Sequence, residues 1–236
     1  MAARYAVYFA PAVESLLWQT GSAWLGRDAR SEAYVPQPQM EGISAERLQA
    51  LSASPRRYGL HATLKPPFHL NDGVTVDMLR DALRALAGAN EPFILPALRV
   101  DQLYNFIALR TTQHSAPLQS LCDRCVAQLD RFRRPMDSAE LAQRRASGLT
   151  ENQEALLMRY GYPYVMTEWR FHITLSEPVV GTERDVLMSW LKGYFAAALA
   201  APIQCEDVCL FVQDGASAPF LLRERFAFRA AVKGEE

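Results

Sequence analysis

The chain has 236 residues, enough for one large domain or two closely packed lobes around a sizeable core. Half of the residues are hydrophobic and 22% are charged, and 25 basic side chains against 26 acidic ones leave a net charge of −1. That balance argues against a grip on extended nucleic acid, which calls for a surplus of cations, and leaves room for a small phosphorylated ligand held by a few arginines. No apolar run approaches a membrane span and the opening Met1-Ala2-Ala3-Arg4 lacks a signal-peptide character, so no membrane association and a cytoplasmic location are expected.

In chain order, Arg4 to Ala10 alternates and is rich in tyrosine, as strands are. Pro11 opens a helical pattern through Leu16, Leu17 and Trp18 toward Trp24. Residues 26–40 are a long irregular stretch, a kind of loop that is often functional when ordered. A short helix over 44–53 precedes Pro55-Arg56-Arg57-Tyr58, which leads into the strand-like Tyr58-Gly59-Leu60-His61-Ala62-Thr63-Leu64. Pro66-Pro67, a turn at Asn71-Asp72-Gly73 and an amphipathic helix from a Thr75 cap to about Gly88 follow. Two strand-like runs, 92–100 and 103–111, complete this half.

A helix over 117–132 and an arginine-rich segment, 131–145, lead to Thr150-Glu151-Asn152-Gln153, a capping box that opens a helix to Tyr160. The motif then returns as Arg170-Phe171-His172-Ile173-Thr174-Leu175. Pro178, Gly181, a helix from a Thr182 cap to about Leu199, and strand-like runs over 203–213 and 219–228 repeat the order seen after the first copy. The expected fold is α+β and bilobal: two similar lobes with mainly antiparallel sheets flanked by helices, and the active-site cleft between them. Residues 1–236 form one domain of two lobes, about 1–115 with the His61 motif and about 116–236 with the His172 motif and a helical insertion at about 133–165.

On a strand, successive side chains point to opposite faces. His61 and Thr63 therefore share one face, with Leu60, Ala62 and Leu64 on the reverse, and His172 and Thr174 repeat the arrangement. Two imidazoles at one cleft, one neutral and one protonated, form an acid–base pair suited to opening a phosphodiester. Each threonine hydroxyl adds a donor for a phosphate oxygen. One His-x-Thr alone is an ordinary strand sequence, whereas two copies in the same apolar frame, holding two of only four histidines, point to function. Cys122 and Cys125 fall in a helical apolar stripe with Leu118, Leu121 and Leu129, and Cys205 and Cys209 in a strand-like run. Both pairs read as buried thiols rather than a zinc site, and no metal or cofactor is expected.

His61-Ala62-Thr63 and His172-Ile173-Thr174 resemble the paired H-x-[ST] motifs of the two-histidine (2H) phosphoesterase superfamily. Arg4-Tyr5-Ala6-Val7-Tyr8-Phe9-Ala10-Pro11, Trp24-Leu25-Gly26-Arg27-Asp28, Tyr58 to Phe68, and Gly161-Tyr162-Pro163-Tyr164 resemble the subfamily encoded in bacterial phosphonate-utilisation operons. The resemblance implies catalysis by His61 and His172, phosphate binding by Thr63 and Thr174, and metal-independent hydrolysis of a small cyclic phosphodiester, such as a ribose cyclic phosphate of phosphonate breakdown. Arg57, Tyr58 and Lys65 flank the first motif as candidate holders of a second phosphate, and Tyr5 and Arg27 belong to the resembling stretches. For each of these five, a solvated charge or a core aromatic is the competing reading. The expected partner is a small phosphorylated substrate, with a monomer as the expected state. Processing of RNA 2′,3′-cyclic phosphate ends or 2′-5′ linkages, and non-catalytic nucleotide binding, are the alternatives.

Overall fold

The computed structural model describes residues 3–146 and 148–229; the first two residues and residues 230–236, at the ends of the two expected lobes, lie outside the described residues. Strand β1 (Arg4–Phe9) sends Val7 and Phe9 into the main core and Ala6 and Tyr8 to the opposite face, as period-two alternation requires. Ser15 caps helix α1 (Leu16–Leu25), so the helix starts later than Pro11. Helix α2 (Ala45–Leu51) is followed by α3 (Ala53–Tyr58), which takes the expected lead-in Pro55-Arg56-Arg57-Tyr58 into a helix. Pro55 is tolerated because the N–H groups of a first turn have no intrahelical partner to lose.

Strand β2 (Ala62–Phe68) follows, then α4 (Val76–Gly88), capped by the Thr75 side chain. The strands β3 (Phe93–Ile94), β4 (Leu98–Leu103) and β5 (Phe106–Thr111) come next. Helices α5 (Ala116–Gln128), α6 (Ser138–Arg145) and α7 (Glu151–Tyr160) span the middle of the chain, and the last two carry capping boxes. Strand β6 (Ile173–Thr174) leads to α8 (Gly181–Phe195), whose cap position is Val180 rather than Thr182 and has no side-chain hydrogen bond. Strands β7 (Gln204–Cys205), β8 (Asp207–Gln213) and β9 (Leu221–Ala227) close the described chain.

Seven strands form one antiparallel sheet in the order β4-β5-β6-β2-β1-β8-β9, and β3 and β7 make a separate two-stranded ribbon. The α+β class, with antiparallel sheet and flanking helices, is as expected. The division of the sheet is not the division of the chain at about residue 115, however. β6 from the second half joins β4 and β5, while β8 and β9 join β1 and β2. The halves exchange strands because β2 and β6 pair with each other, at Ala62 and Ile173.

Residues Ala62 and Leu64 of β2, Ile107 and Leu109 of β5, and Val208, Leu210 and Val212 of β8 all enter one core. Helices α5, α4 and α8 cover that face by packing on β2, β9 and β4 respectively. All four cysteines are buried free thiols, with Cys122 and Cys125 in the buried stripe of α5. The 133–165 insertion packs beside the end of β2: Arg134 N–H donates to the His69 carbonyl, and Asn71 N–H donates to that of Phe132. None of the described helices is long and apolar enough to cross a membrane.

Candidate active site

The face of the sheet turned away from α4, α5 and α8 carries the paired motifs. Ala62 lies opposite Ile173 in an antiparallel pair, so the register continued one residue either way sets His61 against Thr174 and Thr63 against His172. The two histidines are then diagonal neighbours, a relation that places β-carbons about 7–8 Å apart.

Each imidazole is held in the same way. His61 Nδ1 lies 2.9 Å from the Gly59 carbonyl oxygen, and His172 Nδ1 lies 2.7 Å from that of Arg170, in both cases two residues back. A carbonyl only accepts, so each Nδ1 carries the hydrogen and each Nε2 is left with its lone pair for other work. His61 Nε2 accepts from the Thr63 hydroxyl at 3.3 Å. Gly59 makes the first of these supports possible. Its φ of +80° and ψ of 177° are a glycine conformation, and a β-carbon there would stand 2.5 Å from that of Ala29.

Burial lowers the pKa of both imidazoles. His61 falls from 6.5 to about 4, through desolvation first and then the nearby His172 and Arg27 charges. His172 is also lowered, through desolvation and then the Arg110 charge. Both are therefore neutral near pH 7 in the free protein. His61 lies in an aromatic stack: the Tyr8 ring is 3.8 Å away and nearly parallel, and Tyr58 is 6.0 Å away and itself stacked on Phe220 at 5.1 Å. His172 and Thr63 open instead on a cavity of about 260 Å³ walled by Tyr104, Phe106, Tyr162, Tyr164 and Trp169. The Trp169 indole donates to the Thr63 carbonyl at 2.8 Å and ties this wall to β2.

The flanking candidates divide. Tyr58 stands beside His61. Tyr5 packs on the main core near Phe68, on the reverse face of the sheet. Arg27 is buried, with burial lowering its pKa to about 10, and its guanidinium donates to the carbonyls of Ser31, Arg56, Arg57 and Phe220. It is a clamp behind the site that holds the 26–40 loop and Phe220 against α3. The Arg57 guanidinium donates to the Ala216 carbonyl. Lys65 is 1% exposed and turns into the core side, where its ammonium meets Asp130 at 3.4 Å and the Val126 carbonyl at 3.3 Å. A register shift in the β1–β2 pairing explains Lys65: Tyr8 faces Thr63 but Val7 faces Lys65, so Leu64 is an extra residue. Strict alternation places Lys65 beside His61; the bulge turns it over. Tyr8, Trp169, Tyr162 and Tyr164 were not among the sequence candidates. The signal for Tyr8 was its place on the same face of β1 as Ala6 and Ala10, which matters only once β1 is known to neighbour β2.

Two adjacent His-x-Thr strands on an antiparallel sheet flanked by helices are the arrangement that the resemblance to the two-histidine phosphoesterases implies. The family described as "Protein of unknown function (DUF1045)" matches residues 63–221, well over half of the chain, and the chain belongs to that family. It is 39% identical over 229 residues to "Ribose 1,5-bisphosphate phosphokinase PhnN" of Janthinobacterium sp. (strain Marseille), covering 95% of this chain and 51% of that protein. A protein of the same name from Laribacter hongkongensis (strain HLHK9) is 38% identical over 222 residues, covering 93% and 50%. The chain thus spans about half the length of the curated relatives it matches. Solved structures with a similar outline include "E.coli LigT complexed with NADP+", at a TM-score of 0.45 and 15% identity, over 96% of this chain and 98% of that one. Another is "Crystal structure of phosphoesterase", at a TM-score of 0.43 and 15% identity, over 97% and 99%.

Proposed function

We propose that the chain is a phosphoesterase that opens a small cyclic phosphodiester, with His61 as general base and His172 as general acid. The observation that carries this reading is the shared geometry of the motifs: both Nδ1 atoms are committed to carbonyls two residues back, leaving both Nε2 atoms free of that bond, His61 Nε2 beside the Thr63 hydroxyl. In this reading His61 Nε2 takes a proton from water as the water oxygen attacks phosphorus. His172 Nε2–H gives a proton to the departing ring oxygen. The ring opens to a phosphomonoester and an alcohol, and the two histidines exchange protonation states. Thr63 and Thr174 donate to the non-bridging oxygens, where charge grows. The base is assigned to His61 because burial holds it neutral down to about pH 4.

The compound class follows from the resemblance to phosphonate-operon proteins together with the relatives' printed name, which concerns a phosphorylated ribose. The kinase activity in that name is said of proteins about twice as long. The sequence here contains no G-x-x-x-x-G-K-[ST] phosphate loop to serve that activity. The aromatic wall of the cavity favours a second substrate, a nucleoside 2′,3′-cyclic phosphate whose base stacks on those rings.

The test is a panel of ribose and nucleoside cyclic phosphates, with and without chelator. Turnover of at least one is expected, and it persists with chelator because the scheme uses imidazoles alone. His61→Ala and His172→Ala each lower kcat by about 10²–10⁴ with binding retained, and Thr63→Ala and Thr174→Ala by about 10–10³. A folded His61→Ala or His172→Ala protein with near-normal turnover overturns the reading.

A further inference from the structure

Beside the histidine cavity lies a second one, of about 500 Å³, lined by Arg4, Arg133, Arg134 and Arg144. The two cavities share Tyr162 and Tyr164 as a common wall. We propose that the arginine-lined cavity binds a phosphomonoester carried by the same ligand whose cyclic diester sits at the histidines. Resting on the phosphodiesterase reading, this makes the substrate class a sugar or nucleoside with one cyclic and one open phosphate.

The charge count favours an anion. Four arginines line the cavity against two carboxylates, Asp130 behind Arg133 and the lining Glu140, which reaches Arg134 only at 3.4 Å between half-exposed partners. A pair that long and that wet is weak, so a phosphate competes well for Arg134. Arg133 is backed by Asp130 at 2.9 Å, which fixes its guanidinium. Arg144 lies over the Tyr162 ring at 5.0 Å, and Arg4 over Phe220 at 5.3 Å with its Nε on the Gln213 side chain. These arginines are pre-positioned rather than loose, which lowers the entropic cost of gripping a phosphate.

The two cavities lie along the same strands: Thr63 lines the histidine cavity and Pro67, further along β2 past the bulge, the arginine cavity. On β1, Tyr8 and Arg4 share a face. The Tyr8 hydroxyl, on the same strand, is buried without a hydrogen-bond partner among the described residues. The 133–165 insertion, with its run of arginines, thereby gains a role as the wall that supplies the second anion site.

The experiment pairs two substrates, a nucleoside 2′,3′-cyclic phosphate and the same compound bearing a 5′-phosphate. In the wild-type protein kcat/KM for the 5′-phosphorylated compound is higher by about tenfold or more, the worth of charge-assisted hydrogen bonds to phosphate. In the double variant Arg134→Ala/Arg144→Ala that ratio falls to near one. Separately, inorganic phosphate titrated into the wild-type and His61→Ala proteins shifts the Tyr162 and Tyr164 ring resonances, and the folded double variant loses the shift. The single Arg134→Ala variant, at an exposed position, stands in should the double variant unfold. A ratio near one in a wild-type protein that turns over both compounds overturns the second site and leaves the phosphodiesterase reading standing. Phosphate binding that depends on those arginines, in a protein that hydrolyses neither compound, supports the anion site and overturns the phosphodiesterase reading instead.

Discussion

In the proposed mechanism His61 and His172 work best at acid pH. A base must be neutral and an acid protonated, so kcat/KM rises above the pKa of the first and falls above that of the second. Burial puts His61 at about 4 and His172 below its ordinary 6.5. The expected profile is a bell with its maximum between about pH 4 and 6.5, read from kcat/KM, which reports the free protein. Because the rings influence one another, the two apparent constants belong to the pair. Bound substrate, an anion between the rings, raises the acid's pKa, so the kcat profile should extend further toward neutrality. A kcat/KM maximum above pH 7 would show that His172 is not the protonated acid of the competent state.

Among the elements, β2 shows how a local irregularity sorts side chains. The bulge at Leu64 delivers Thr63 to the cleft and Lys65 to the core. Burial lowers the Lys65 pKa from 10.5 to about 8 despite the pull of Asp130. The unfolded chain therefore holds more protons between pH 8 and 10.5, and stability from this group rises with pH across that window. Below about pH 8 the buried ammonium is a net cost. Lys65→Met is expected to leave stability within about 1 kcal/mol of wild type or to raise it, since an apolar side chain of similar volume replaces a buried ion. Asp130→Ala is expected to cost about 3 kcal/mol, because it strands Lys65 and also releases Arg133. Urea unfolding of the two variants at pH 7 decides the matter; a Lys65→Met protein as unstable as Asp130→Ala would make the ion pair a true source of stability.

On the scale of the whole molecule, the site lies on a seam. β6 is only two residues long and meets β2 at one registered pair, yet it holds Thr174 and begins directly after His172. Side chains reinforce the seam: Trp169 bonds the Thr63 carbonyl at 2.8 Å, Trp24 bonds that of Leu175 at 2.7 Å, and Ser176 accepts from the Ile107 N–H at 3.0 Å. Trp169→Phe keeps the ring and removes the donor. It is expected to lower stability by about 1–2 kcal/mol and to lower kcat on the best cyclic phosphate, because the carbonyl left behind is that of a site residue. Unchanged stability and unchanged kcat would mean the main-chain pairing alone aligns the two motifs.

What the sequence determined by itself was the local and periodic part. Alternation placed His61 with Thr63 and His172 with Thr174, because a strand has no other way to arrange neighbours. Caps at Thr75 and Thr150 marked helices, since their hydroxyls answer otherwise unpaired N–H groups. The apolar stripe of α5 marked its cysteines as buried. Only the tertiary structure decided which strands are neighbours, and with that the strand exchange between halves, the Tyr8 stack on His61, the fate of Lys65 at a bulge, and the meeting of Arg4 with arginines some 130 residues away. Each of these depends on long-range register and packing, and a chain's own periodicity carries no record of which distant segment lies across from it.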